Sequence, residues 1–126
     1  MTDGLHKNAT ILVVDDDPFV RKLVFRLLSR VGYTCFQADS VASAEQVLAE
    51  TDIDLVISDI KMPPGPSGLE LVKSLQPKMP EVAVLMVTGN NEMQVAIQAL
   101  ELGAYGYVFK PFEKRSLLVQ VSNALR

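Results

Sequence analysis

Asp15, Asp16 and Asp17 follow an apolar run at 11–14, and Asp59 closes the run that begins at 55. Thr88 follows the run at 82–87, and Lys110 follows the one at 105–109. A fold that gathers these run ends brings carboxylates, one hydroxyl and one ammonium together. For carboxylates ~5 Å apart at an effective dielectric near 20, each pair costs about 3 kcal/mol. Such a cluster calls for a cation or for protons. The donors are all oxygens, with no His or Cys beside them, which suits Mg2+, with Mn2+ as an alternative, better than zinc. A divalent ion and a lysine together suit a phosphoryl group, whose transfer is chiefly positioning and charge neutralisation. A carboxylate of the same set can accept it. Neither G-x-x-x-x-G-K-[ST] nor G-x-G-x-x-G is present, which argues against a nucleotide cradle.

The surrounding pattern supplies the elements that must position these residues. Short, nearly continuous apolar runs at 11–14, 55–57, 82–87 and 105–109, and a weaker one at 34–38, fit strands buried on both faces of a parallel sheet. Helical period lies between them. Val20, Leu23, Val24, Leu27, Leu28 and Val31 form one apolar stripe, and Met93, Ala96, Ile97 and Leu100 another. Val41, Ala44, Val47 and Leu48 give a weaker stripe, and Leu118, Val121 and Leu125 mark a last helix. Asp17 before Pro18 reads as an N-cap with proline at the first helical position. Ser67 with Glu70 reads as a capping box, Asn90 or Asn91 as the cap of the fourth helix, and Gly32 and Gly103 as C-terminal glycines. Strand and helix alternate five times. Right-handed crossovers then give an open, doubly wound parallel sheet with helices on both faces. Ligands of such sheets sit beyond the carboxyl ends of the strands, where the residues above fall.

Taken singly, each has a plainer reading. Asp17 is a helix cap, Asp59 a turn former before Lys61-Met62-Pro63, Thr88 a turn residue before Gly89, and Lys110 a solvated strand end. One cap position cannot use three acids, however, and coincidence on four strand ends in order is specific. Cys35 reads as a small apolar strand residue, His6 as a tail residue, and Asp52 and Asp54 as solvated loop acids.

The chain has 126 residues, the length of one domain, expected here as a flexible lead over 1–8 and a domain over 9–126. A net charge of −3 makes nucleic acid or an anionic membrane surface a poor partner. No apolar run approaches the ~20 residues that span a bilayer. A single cysteine forms no internal disulfide, and the expected location is cytoplasmic.

The segments ILVVDDDP (11–18), DLVISDIKMP (54–63), GLEL (68–71), VLMVTGN (84–90) and GAYGYVFKPF (103–112) together resemble the receiver domain of two-component response regulators over residues 9–126. The resemblance implies a five-stranded α/β fold of the flavodoxin-like type. It implies that Asp59 accepts a phosphoryl group from a sensor histidine kinase or a histidine phosphotransfer protein. Asp15 and Asp16, with Asp59 and the backbone carbonyl of Lys61, would hold Mg2+. Lys110 would contact the acyl phosphate, Thr88 would be the switch hydroxyl, and Tyr107 the aromatic switch that turns inward. Lys61 and Asn90 would tune the lifetime of the phosphate, and the Lys110–Pro111 bond would be cis. Phosphorylation would alter the surface of the fourth helix, fifth strand and fifth helix, which would control an output domain or partner protein, or form a homodimer. The chain would not be an enzyme in the turnover sense, beyond its own phosphorylation and dephosphorylation.

The stretch 87–112 also resembles receivers joined to larger output domains, including phosphodiesterases of the HD-GYP type. The loop after Asp59 departs from the pattern: KMPPGPSGLEL is one residue longer and carries Pro64-Gly65-Pro66. Two rival readings exist. In a haloacid-dehalogenase-like phosphatase Asp15 would be the nucleophile and Asp17 the acid, but no acidic pair follows Lys110 to hold its metal. A pseudo-receiver would bind partners without phosphorylation, and the complete acid, threonine and lysine set argues against it.

Overall fold

The computed structural model describes residues 9–62, 67–89 and 92–126. The elements are β1 (Thr10–Val14), α1 (Pro18–Val31), β2 (Thr34–Ala38), α2 (Val41–Glu50), β3 (Leu55–Asp59), α3 (Gly68–Lys78), β4 (Ala83–Thr88), α4 (Met93–Glu101), β5 (Gly106–Phe109) and α5 (Lys114–Ala124). The strands pair in parallel in the order β2-β1-β3-β4-β5. Strand order therefore reverses between β1 and β3, the switch point of a doubly wound sheet. This is the doubly wound parallel sheet expected from the alternation of runs, in the flavodoxin-like form that the resemblance implies.

Each strand feeds two cores because successive side chains point to opposite faces. Ile11, Val13, Leu55, Ile57, Leu85 and Val87 pack with Val24 and Leu28 of α1 and with Leu117 and Val121 of α5. Leu12, Val14, Val56, Val84 and Met86 face α2, α3 and α4. Both faces being covered explains why the strands read as continuous apolar runs. The weaker run, β2, is an edge strand, and only Ala38 of it is buried.

Asp17 caps α1 by accepting from Phe19 N at 2.9 Å, with Pro18 next in the helix. Gly32 and Gly103 have φ of 118° and 115°, a conformation glycine adopts without strain. Three expectations change. Ser67 occupies the N-cap of α3 but makes no side-chain cap bond; the first turn is held instead by Gly68 N donating to the Ile60 carbonyl at 2.7 Å. The capping box belongs to α2, between Ser40 and Ser43. On α4, Ala96 and Ala99 are the buried residues, while Ile97 is 46% and Leu100 36% exposed. Small residues bring this helix close to the sheet, Met93 and Val95 pack against the same core, and Ile97 and Leu100 stand on the outer flank. Asp54 is exposed but not merely solvated: its Oδ2 accepts from Thr10 N at 2.8 Å, fixing the start of β1. The 1–8 lead, Pro64-Gly65-Pro66 and the caps expected of Asn90 or Asn91 lie outside the described residues. No helix among the described residues is long and apolar enough to cross a membrane.

Candidate functional site

Sheet register assembles the site. Val14 pairs with Ser58, so the next residues, Asp15 and Asp59, stand side by side at the switch point. Asp59 pairs with Val87, and Thr88 with Phe109. Lys110 N then donates to the Thr88 carbonyl at 2.7 Å, which directs the lysine back over the strand ends. The Lys110–Pro111 bond is cis, as expected.

Asp15, Asp16 and Asp59 each offer a carboxylate oxygen within 4.8 Å of the others. Asp15 and Asp59 are buried and Asp16 is exposed, so the cluster opens toward solvent on one side. Lys110 Nζ lies 3.3 Å from Asp59 Oδ1 and 3.7 Å from Asp15 Oδ2. Asp59 Oδ1 also accepts from Ile60 N, and Asp15 Oδ1 from Asp17 N, both at 2.9 Å. Among the described residues Lys110 pairs with two of the three carboxylates, Asp59 and Asp15, and the third, Asp16, is open to solvent. That set fits a hard divalent cation such as Mg2+.

The electrostatics carry the same message. Burial, reinforced by the charge of Asp15, pushes the Asp59 carboxyl up to about 6 from its ordinary 3.8, against the pull of Lys110. Burial likewise raises Asp15. Burial opposes the charge of Lys110, but Asp59 and Asp15 outweigh it and hold the ammonium above its usual range. Carboxyls raised in this way gain from a further cation beside them.

Thr88 is fully buried, and its hydroxyl donates to the Gly89 carbonyl at 3.2 Å rather than to Asp59. Tyr107 is half-buried against the α2–α4 core, with its ring edge-on to Phe109 at 5.2 Å between centroids. Lys61 is exposed beside the cluster, and Asn90 lies outside the described residues. Cys35 has its thiol pushed up by burial, in keeping with an inert strand residue.

Sequence reasoning missed two supports. Arg21 on α1 donates from Nη1 to the Asp15 carbonyl at 2.9 Å and from Nε to Gln37 Oε1 at 3.0 Å, bracing the end of β1. Glu92 accepts from Gly89 N at 2.9 Å and lies 3.5 Å from Lys61 Nζ. Neither residue carries a signal of its own in the sequence, because only the folded chain brings them to the strand ends.

The response regulator receiver domain family matches residues 11–122. The chain is 37% identical over 115 residues to response regulator protein PilR of Pseudomonas aeruginosa, covering 91% of this chain and 26% of PilR. The solved receiver domain of NtrX from Brucella abortus matches with a TM-score of 0.88 at 33% identity, covering 91% of this chain and 97% of that one. The signal receiver domain of an HD domain-containing protein from Pseudomonas fluorescens Pf-5 matches at 0.87 and 29% identity, covering 94% and 88%. The chain spans about a quarter to a half of the length of the curated relatives it matches. A match over almost every described element, on a sheet of this strand order, makes the chain a member of the receiver domain family of two-component response regulators.

Proposed function

We infer that this receiver is a Mg2+-dependent switch whose phosphoacceptor is Asp59. The observation that carries the reading is the convergence of Asp15, Asp16 and Lys110 on the Asp59 carboxylate at the end of the central strand. Asp15, Asp16, Asp59 and the backbone carbonyl of Lys61 would hold Mg2+. When bound, the ion supplies charge that ionises Asp59 and neutralises the phosphoryl oxygens. An Asp59 carboxylate oxygen attacks the phosphorus of a phosphohistidine on a histidine kinase or phosphotransfer protein. The P–N bond breaks, its electron pair stays on the imidazole nitrogen, and a P–O bond to Asp59 forms. Lys110, 3.3 Å from that carboxylate, pairs with the transferred group.

The added charge and acceptor oxygens give the Thr88 hydroxyl a stronger partner than the Gly89 carbonyl. Its turn toward Asp59 opens space beside α4 that Tyr107 fills. The surface of α4, β5 and α5, with Ile97 and Leu100 exposed, would then change its output partner or its self-association in the cytoplasm. The phosphatase reading loses support because Asp17, its required acid, is spent on capping Phe19 N.

Labelling by acetyl phosphate in Mg2+ tests the reading. Asp59→Asn is expected to abolish it, and undiminished labelling would overturn the assignment. Two further substitutions should separate metal from phosphoryl contacts. Asp16→Ala is expected to weaken Mg2+ binding about tenfold or more, the equivalent of ~1.4 kcal/mol. Lys110→Ala should keep Mg2+ affinity and slow labelling by about two orders of magnitude, as removal of one charge-stabilising donor does. Titrations of Mg2+ and labelling time courses on both variants check this, and loss of Mg2+ binding in Lys110→Ala would contradict it.

A further inference from the structure

Glu92 stands where the chain enters α4, and its carboxylate holds two things at once. Oε1 accepts from Gly89 N at 2.9 Å, and Oε2 lies 3.5 Å from Lys61 Nζ. One side chain thereby joins the residue after Thr88 to the residue two beyond Asp59, across the mouth of the site. The Glu92 side chain is only 12% exposed, whereas Lys61 is 63% exposed. The carboxylate takes its compensation from the Gly89 N–H, from the mostly solvated Lys61 ammonium and, at longer range, from Lys110, and a pair with so exposed a lysine is readily exchanged.

Gly89 links this contact to the switch hydroxyl. Its N–H is held by Glu92 and its carbonyl accepts from Thr88 Oγ1 at 3.2 Å. Glu92 thus fixes the peptide between Thr88 and Gly89, and the Thr88 hydroxyl is held by the next carbonyl, one Cα further on. A phosphoryl group on Asp59 would carry close to two negative charges. It would draw Lys61, on its long flexible stem, away from Glu92, and would leave Glu92 facing like charge. Both effects drive Glu92 off Gly89.

We propose that Glu92 is a positioning residue that holds the unphosphorylated form: through Gly89 it keeps the Thr88 hydroxyl turned away from Asp59, and through Lys61 it closes the mouth of the site. The proposal rests on Asp59 being the phosphoacceptor. Phosphorylation works against the Glu92 contact, so weakening that contact makes the acceptor state easier to reach.

Glu92→Ala removes both contacts, and Glu92→Gln keeps an acceptor for Gly89 N while removing the charge. With phosphoramidate below saturation in Mg2+, the Asp59 labelling rate of Glu92→Ala is expected to rise about three- to tenfold, or ~0.7–1.4 kcal/mol. Glu92→Gln should rise less. In unphosphorylated Glu92→Ala, amide resonances of Thr88, Gly89 and β5 should move toward their positions in the beryllofluoride-loaded parent, with the thermal midpoint little changed. Lys61→Met should reproduce part of the rate increase and add little in the Glu92→Ala background. A parent that labels at Asp59 alongside Glu92 variants with unchanged rates and resonances overturns the proposal, as do additive Lys61 and Glu92 effects. A parent that does not label at Asp59 overturns the functional reading instead, and the resonances of the unmodified variants then decide the Glu92 restraint alone.

Discussion

Asp59→Asn is expected to stabilise the metal-free domain at neutral pH, by about 3 kcal/mol at most. The carboxyl titrates at about 6 in the folded chain and ordinarily at 3.8. Between those values the folded state keeps a proton that the unfolded chain has lost. Stability therefore falls as pH rises through that window, and the full penalty is present above it. Asparagine mimics the protonated carboxyl and removes the penalty. Urea unfolding in chelator should show the parent losing stability between about pH 4 and about pH 7, with a flatter profile for the variant. Excess Mg2+ should restore the parent by mass action and do little for Asp59→Asn. Equal midpoints for both proteins in chelator at neutral pH would contradict this account of the cluster.

Gly68→Ala should be the most damaging single methyl group near the site. A Cβ there would collide with the Asp59 carbonyl oxygen and come within 2.9 Å of Met86 Cε and 3.0 Å of Ser58 Oγ. The Met86 methyl can swing away, but the carbonyl belongs to the end of β3 and accepts from Ser58 Oγ at 2.9 Å. A helix gains up to ~1 kcal/mol from Gly→Ala, while overpacking a closed core costs ~1–3 kcal/mol or more. A net loss of about 2 kcal/mol is expected, with slower labelling at the displaced Asp59. Gly106→Ala is the control: its Cβ would meet Leu85 Cδ1 at 3.7 Å and Gln120 Oε1 at 3.9 Å, ordinary contacts. Denaturant midpoints of the two variants decide the point, and equal stability would mean the β3–α3 turn can yield.

The strands and the carboxylate cluster were legible because both follow from one-dimensional signals. Double burial makes apolar runs, and parallel strands put their C-terminal residues on one edge. Contacts that depend on loop return were not legible. Glu92 reaches Lys61 and Gly89 only because two loops converge above the strand ends, and Arg21 reaches the Asp15 carbonyl only once α1 packs beside β1. Thr88 shows the boundary between the two kinds of information. Its position was evident from the run it ends, but its rotamer, bonded to Gly89, depends on a backbone the sequence does not specify. The apolar period of α4 was equally clear, yet its inward face is set by Ala96 and Ala99, whose small size lets the helix approach the sheet.

The most direct test of the central claim is to locate the acyl phosphate itself. The parent is treated with phosphoramidate and Mg2+, then reduced with borohydride, which converts an aspartyl phosphate to homoserine, and its peptides are sequenced by mass spectrometry. Homoserine at position 59, absent without phosphoramidate or with chelator, is the result this account predicts. Homoserine at position 15, or none at any aspartate, would contradict it.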